Sequence, residues 1–466
     1  MNKNRYMLLI SNTAIFAIGN ILVKLMSFFL MPLYTSVLTT EQYGVSELLN
    51  SSVEIILPLA TLCIVEALYR FSIDKDANSN SLFTNALVII LVGDVIVGVG
   101  CVLLKHFNDY QYAFEFAILY IAISSYKLTT QFARGLGHTK RFAFYGVVNA
   151  VLLIISNLIL LVIMKGDIRE YLLSFSIGYG ITSIVALFAS NELRYVHIGA
   201  FDKVSLKAML KYGIPDIPNT LSWWVNSVLD RYILMYFCGA SISGLYTAAS
   251  KLPAMINLVT SIFQQAWQYS AVKEIDSEDN KSFFANVFRA YTCVCVLLCV
   301  ILIICNRLIC GILLKTDFYS AWRFVPMLLL AATFGCFSSY FGSFYGALKN
   351  NVAAMFSTVT GAVVNLILNL VLIPLYGGFG AAVATAISYG TISLIRFFDL
   401  KKRINIVLNY PRIIMQLVIL VLLTVLSMSD YYIATYIFGL FAIIIIIFLD
   451  FELINNIFKK LIKLKR

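Results

Sequence analysis

Polar and charged side chains recur at helical spacing inside strongly apolar runs of this sequence. In the run 214–238 they follow one another at steps of three or four: Asp216, Asn219, Trp223, Asn226 and Asp230. Such steps place side chains on one face of a helix. Three other runs carry similar stripes: Thr13, Asn20, Lys24 and Ser27; Glu47, Ser51 and Glu54; and Ser250, Asn257, Ser261, Gln264 and Gln268. Polar faces on apolar helices predict a water-filled cavity in a membrane protein.

Four ionisable residues lie deep within these runs, namely Lys24, Glu54, Asp230 and Lys251. A helix rises about 1.5 Å per residue, which places all four roughly 22–27 Å above the inner membrane edge. They are therefore predicted to form one layer. An ionisable group inside a span is costly, so each is a functional-site candidate.

Structural explanations exist for the same residues. Lys24 with Glu54, or Asp230 with Arg231 or Lys251, would form ion pairs that hold helices together. Arg70 ends its run and would act as an anchor that reaches the headgroups. The stripe that includes Gln264 and Gln268 would serve interhelical hydrogen bonds.

Motifs for catalysis, cofactors and metal binding are missing from the sequence. His106, His138 and His197 fall in three separate loops, and no zinc, nucleophile-elbow or phosphate-loop motif occurs. Cys293, Cys295, Cys299 and Cys305 share one apolar run and are interpreted as packing residues. We therefore expect no enzyme, no cofactor and no metal site.

The elements that position these residues are predicted to be membrane spans. Hydrophobic residues make up 60% of the 466 residues and charged residues 13%, and the mean hydropathy is +0.86. Soluble domains have fewer apolar residues and more charges, so part of the solvent must be lipid. About fourteen runs are long enough to span a bilayer: 8–34, 45–69, 83–104, 112–133, 142–164, 171–192, 214–238, 245–270, 283–306, 324–346, 352–374, 379–399, 413–428 and 432–449. The fold class is thus an all-α integral membrane protein.

Lysine and arginine residues orient the predicted spans. With a cytoplasmic N-terminus, about 23 of them fall in inner segments and about 6 in outer ones, as the positive-inside rule expects. Both termini are then cytoplasmic. The net charge of +11 therefore reflects topology and not nucleic-acid binding. Two basic amphipathic stretches, 201–211 and 451–466, are expected to lie against anionic lipid headgroups.

The first amphipathic stretch divides the chain into two similar halves. The predicted domains are an N-terminal six-helix bundle (1–200), a linker (201–212), a C-terminal six-helix bundle (213–400), two additional helices (401–450) and a basic tail (451–466). Gly44 and Gly244 follow the first helix of each half and are 200 positions apart. Six helices per half predict a parallel pseudo-repeat around a central cavity.

Several segments in the second half resemble the bacterial polysaccharide flippase family. They are 222–234, with Asp230-Arg231 near its end; 244–251, which ends in Lys251; 346–349; 364–377, with Asn365, Asn369 and Pro374; and 380–385. Tyr43-Gly44 and Arg70 in the first half are similar too. This family belongs to the multidrug/oligosaccharidyl-lipid/polysaccharide exporter superfamily.

The resemblance implies a flippase that moves undecaprenyl-pyrophosphate-linked oligosaccharide to the outer leaflet by alternating access. It implies a bacterial cell (inner) membrane location, and a polysaccharide polymerase and chain-length machinery as further partners. Lys24, Arg70, Arg231 and Lys251, with Asn226, Gln264 and Gln268, would line the cavity and hold the substrate. Glu54 and Asp230 would couple transport to a proton or sodium gradient.

Three rival functions deserve comparison. A drug or cation antiporter of the same superfamily would favour a more acidic or aromatic cavity. A polysaccharide polymerase or ligase would need a large outer loop, and the predicted outer loops are short. A structural membrane subunit would not need matched polar stripes.

Overall fold

The computed structural model describes residues 28–74, 78–189, 192–195, 197–275, 280–348, 350–404, 408–429 and 431–451. Most of these residues are helical, and they include no β-strand. By contact, the chain divides into two compact units, Met1–Val228 and Leu229–Arg466. The predicted domain boundaries, with a linker at 201–212, remain a prediction.

The first unit contains α1 (Met31–Val37), α2 (Thr40–Ala60), α3 (Ile64–Ser72), α4 (Ser79–Asn108), α5 (Ala113–Gly135), α6 (Thr139–Asn157), α7 (Ile168–Ala189) and α8 (Lys203–Gly213). Helix α2 begins with a capping box. The Thr39 hydroxyl accepts a hydrogen bond from the Gln42 backbone N–H, and the Gln42 side chain accepts one from Thr39. These bonds satisfy backbone donors that a helix start otherwise leaves unpaired.

The run 45–69, predicted as one continuous span, is bent. Helices α2 and α3 meet at an angle of 69°. Pro58 lies within α2, and Leu62 and Cys63 adopt positive φ angles in the break. Proline removes a backbone donor and side chains rarely tolerate positive φ, so both features interrupt the helix. The sequence prediction was wrong here because it used hydropathy alone.

The second unit contains the last part of α9 (Ile217–Cys238), then α10 (Ala240–Ala249), α11 (Pro253–Glu274), α12 (Asn280–Ile304), α13 (Asn306–Leu313), α14 (Val325–Ala347), α15 (Asn351–Ile404), α16 (Tyr410–Ser427) and α17 (Tyr432–Leu449). The start of α9 belongs to the first unit, where the Trp224 indole N–H donates to the Ser51 carbonyl at 3.2 Å. The predicted run 245–270 is interrupted at residues 250–252, between α10 and α11.

Helix α15 contains two predicted spans, 352–374 and 379–399. Gly377 separates them with φ +57° and ψ −136°, a non-helical conformation inside the 54-residue element. Pro374 precedes it in the same helix. The two-span prediction for this part of the chain therefore matches the backbone.

Eight helices of the described residues are long and apolar enough to cross a membrane, or nine if α2 and α3 form one broken span. Helix α15 counts once among them although it holds two predicted spans. Helices α5 and α9 and the α10–α11 pair are more polar and are not among the eight. The run 8–34 lies largely outside the described residues. The chain is a multi-pass, all-helical membrane protein.

Helices α16 and α17 are joined to α12 by a buried polar cluster. Asp450, fully buried, accepts hydrogen bonds from Arg412 at 2.7 Å, Arg289 at 2.8 Å and Gln416 at 3.0 Å. A buried carboxylate needs such charged and polar partners. The two C-terminal helices are therefore fixed parts of the second unit.

Candidate functional site

Asp230 lies at the centre of a polar site in the second unit. It is buried on α9, and its carboxylate accepts a 2.7 Å hydrogen bond from the Tyr246 hydroxyl of α10. The Thr385 hydroxyl of α15 lies 3.4 Å from the same oxygen, Oδ2. The other oxygen, Oδ1, accepts the Arg231 backbone N–H at 2.9 Å. Three helices thus converge on one buried carboxylate.

Arg231 follows Asp230 but points in another direction, because neighbouring residues on a helix are about 100° apart. Its guanidinium donates to the Ser250 hydroxyl at 3.2 Å, and its backbone carbonyl accepts the Ser243 hydroxyl at 2.9 Å. The Nε atom is buried and has no hydrogen-bond partner. No carboxylate of the described residues forms an ion pair with this guanidinium. An Asp230–Arg231 ion pair, one of the structural explanations, is therefore not formed.

Lys251 lies in the break between α10 and α11 and is partly buried. Its backbone N–H bonds to the Ala248 carbonyl at 3.2 Å, and the Ser250 hydroxyl bonds to the Thr247 carbonyl at 2.7 Å. Pro253 begins the next helix at its first position. Lys251 and Ser250 thus both lie in the break at the end of α10, and Ser250 contacts Arg231.

The three predicted amide residues have different surroundings. Asn226 is buried and donates to the Ser222 carbonyl of its own helix at 2.9 Å. Gln264 accepts a 2.8 Å hydrogen bond from the Ser343 hydroxyl of α14, while its Nε2 is buried without a partner. Gln268 is exposed. Gln264 thus makes the interhelical hydrogen bond that the structural explanation requires, and both N–H donors of its amide remain unpaired.

The predicted residues of the first unit are not brought together by contacts of the described residues. Arg70 forms an exposed ion pair with Asp74 at 3.0 Å, one helical turn away. Glu54 is exposed on α2. Lys24 lies outside the described residues. The layer of Lys24, Glu54, Asp230 and Lys251 therefore remains a prediction.

The structure also shows buried ionisable groups that were not predicted to bind substrate or to couple transport. Glu47 accepts hydrogen bonds from the hydroxyls of Tyr171, at 2.8 Å, and Tyr43, at 3.2 Å. Asp94 is buried on α4 against Ser124 of α5. Arg396 on α15 is buried among the hydroxyls of Ser357, Ser338 and Thr358.

A signal for most of these groups was present in the sequence. Asp94 and Arg396 each interrupt an apolar run, so a search for every ionisable residue within a run would have found them. Their burial against particular helices depends on tertiary packing. Among the described residues no group of three or more His, Cys, Asp or Glu residues is arranged to hold a metal ion.

A family model described as polysaccharide biosynthesis protein matches residues 9–268, more than half of the chain. The chain belongs to the polysaccharide biosynthesis protein family. This match confirms the predicted family relationship.

One curated relative of this polysaccharide biosynthesis protein is the "Probable low-salt glycan biosynthesis flippase Agl15" of Haloferax volcanii. The two are 24% identical over 212 residues, and the alignment covers 44% of each chain. The chain thus spans less than half of the length of this relative.

Solved structures show the same fold. The lipid II flippase MurJ in an inward closed conformation has a TM-score of 0.71 at 14% identity, over 94% of this chain and 99% of MurJ. An inward-facing multidrug resistance MATE family transporter of the MOP superfamily has a TM-score of 0.66 at 13% identity, over 83% of this chain and 98% of that one. The predicted all-helical exporter fold is confirmed.

Proposed function

We propose that this polysaccharide biosynthesis protein is a flippase for undecaprenyl-pyrophosphate-linked oligosaccharide. It moves the lipid-linked sugar from the cytoplasmic to the outer leaflet of the bacterial cell membrane, with both termini in the cytoplasm. Transport proceeds by alternating access of a polar cavity. The protein works as a transporter and not as an enzyme, alongside a polysaccharide polymerase and chain-length machinery.

The physical task fits such a protein. The sugar and pyrophosphate headgroup cannot cross hydrocarbon unaided, because burying unpaired polar and charged groups costs several kcal/mol or more. A polar cavity that opens laterally removes this cost while the polyprenyl chain stays in lipid. The family match and the similarity to a glycan-biosynthesis flippase and to a lipid II flippase favour this substrate class.

The proposal rests on the hydrogen bonds of the Arg231 guanidinium. This guanidinium lies on α9, bonds to the neutral Ser250 hydroxyl and leaves its buried Nε without an acceptor. Phosphate oxygens are strong acceptors for arginine, which binds them with short and often bidentate hydrogen bonds. We assign the pyrophosphate contact to Arg231. Lys24, Arg70 and Lys251 supply further positive charge, and Asn226, Gln264 and Gln268 contact the sugar.

Asp230 is the proposed coupling residue, with Glu54 as the second candidate. The buried Asp230 carboxylate has tyrosine and threonine hydroxyls beside it, so it has partners in the charged state and in the neutral state. Binding and release of a proton or cation at this position would bias the helices that meet there.

Deletion of the gene tests the function. We expect lipid-linked oligosaccharide to accumulate on the inner leaflet and surface polymer to be lost, with rescue by the intact gene. Normal polymer and normal lipid intermediates, in a strain without a redundant flippase, would overturn the proposal. Drug efflux would then be measured, because the fold is shared with a multidrug transporter.

Substitution of Arg231 tests the site. In the deletion strain, Arg231→Gln should lower export about tenfold, which corresponds to about 1.4 kcal/mol. Arg231→Lys should retain part of the activity because it keeps the charge. Arg403→Gln is the matched control, since Arg403 pairs with Asp399 near the end of α15. Normal export by Arg231→Gln would contradict the assigned contact.

A further inference from the structure

Asp94 is a buried carboxylate in the middle of a membrane-spanning helix. Helix α4 runs from Ser79 to Asn108 and is the most apolar of the candidate spans among the described residues. Asp94 is 9% exposed and faces α5. An acidic side chain at such a position destabilises the fold more than its packing contacts stabilise it. Asp94 is therefore a candidate for a functional role.

The contact of Asp94 with Ser124 accommodates both protonation states. Ser124 Oγ lies 2.8 Å from Asp94 Oδ1 and 2.9 Å from the Ile121 carbonyl oxygen. A hydroxyl has one hydrogen. When Asp94 is ionised, Ser124 donates to it; when Asp94 is protonated, Asp94 donates to Ser124 and the serine hydrogen turns to Ile121. The pair therefore needs no rearrangement of heavy atoms on proton binding.

Tyr120 supplies a second adaptable hydroxyl. It lies one helical turn before Ser124, is fully buried, and its hydroxyl has no hydrogen-bond partner. Residues four apart share one face of a helix, so Tyr120 lies on the same face of α5 as Ser124. A hydroxyl without a fixed partner can donate to an ionised carboxyl group or accept from a neutral one.

Neutral residues of α2 lie beside Asp94, and the helices with charged residues, α3 and α8, pack on an earlier part of α4. At the end of α2, Ala60 and Thr61 lie against Gly93. Helices α3 and α8 pack on the first part of α4, through the apolar residues Leu68, Leu82, Phe83, Ile90 and Met209. Their charged residues are Glu66, Arg70, Lys203, Lys207 and Lys211. Lys127, three residues after Ser124 on α5, forms no ion pair with Asp94 among the described residues.

We propose that Asp94, Ser124 and Tyr120 form a proton-binding site in the first unit. A buried carboxylate without a cation is much more costly than the neutral acid, so the proton is bound in the state that the structure shows. Release would follow when water reaches the site in another state of the transport cycle. The role in transport rests on the proposed ion-coupled flippase, whereas proton binding itself does not.

Infrared spectroscopy of the purified full-length protein in lipid tests the site directly. The difference spectrum between wild type and Asp94→Asn should contain the C=O band of a protonated carboxyl group at neutral pH. That band should shift in Ser124→Ala, which removes the hydrogen-bond partner. Asp74→Asn, which changes an exposed and paired carboxylate, should leave the band unchanged. If the Asp94→Asn protein keeps every protonated-carboxyl band of the wild type, the proposal is overturned.

The transport role has a separate test. Asparagine resembles the neutral acid and can still bond to Ser124, so Asp94→Asn should fold, as thermal unfolding will show. In the deletion strain it should lose the dependence of export on the proton gradient, whereas Asp94→Glu should retain it. Unchanged gradient dependence would overturn the coupling role. Failure of the gene deletion to affect surface polymer would instead reject the flippase function and leave the infrared result to decide the proton site.

Discussion

The Tyr246 hydroxyl donates a 2.7 Å hydrogen bond to the carboxylate of Asp230, and this bond joins α10 to α9. Both residues are almost fully buried, at 1% and 6% exposure. Thr385 of α15 adds a third helix to the same carboxylate oxygen. Any event that changes the charge of Asp230 therefore acts directly on the packing of three helices in the second unit.

Removal of the Tyr246 hydroxyl should destabilise the protein and impair transport. Tyr246→Phe keeps the ring and takes away one donor from a buried carboxylate, which costs about 1–3 kcal/mol. We expect a lower midpoint of thermal unfolding in detergent and reduced surface polymer. Tyr236→Phe is the matched control, because Tyr236 lies on α9 and is 83% exposed. Equal midpoints for both variants would show that the bond contributes nothing.

The Arg412–Asp450 pair should be important for stability. Its side chains are 6% and 0% exposed, and Asp450 also binds Arg289 and Gln416. Arg412→Ala leaves a buried carboxylate with fewer partners, for which about 3–5 kcal/mol is expected. Arg403→Ala breaks an exposed pair with Asp399 and should cost less than about 1 kcal/mol. Chemical unfolding of both variants measures the difference, and similar losses would contradict this account.

Apolar runs predicted most of the helices, because a hydrocarbon environment leaves the backbone few alternatives to a helix. Hydropathy did not predict the 69° bend between α2 and α3, which depends on Pro58 and on the positive φ angles at Leu62 and Cys63. Such breaks follow from local backbone geometry and tertiary contacts, to which an average over a run is insensitive.

The candidate site was predictable only in part. The helical spacing of polar residues selected Asp230, and the structure gives it the buried partners that such a residue needs. The same reasoning also selected Arg70, which forms an exposed pair with Asp74. It passed over Asp94, which has no polar neighbours at helical spacing on its own helix. Its partner Ser124 is 30 residues away along the chain.

Gly377 should resist substitution. Its φ of +57° with ψ of −136° lies in a region that side chains avoid, and it forms the non-helical point within α15. Gly377→Ala should cost about 1–3 kcal/mol through backbone strain. Gly346→Ala is the control, because a Cβ atom there meets nothing within 4 Å. Thermal unfolding should therefore show a lower midpoint for the first variant only; a lower midpoint for both would point to a general effect of alanine.

The lysines of α8 should bind anionic lipid. Lys203, Lys207 and Lys211 are exposed at four-residue intervals, and Met209 anchors the helix in the apolar core of the first unit. Each lysine near an anionic surface contributes about 1 kcal/mol. Added phosphatidylglycerol should therefore raise the unfolding midpoint of the wild type more than phosphatidylcholine does.

Replacement of all three α8 lysines by glutamine should abolish that difference between the two lipids. The control is the triple replacement of Lys105, Lys165 and Lys315, which removes the same charge from exposed positions outside α8. If the control variant loses the phosphatidylglycerol effect equally, the lipid responds to net charge. If only the α8 variant loses the phosphatidylglycerol effect, α8 is the segment that binds anionic lipid. Its three lysines are close enough together to contact the same layer of headgroups.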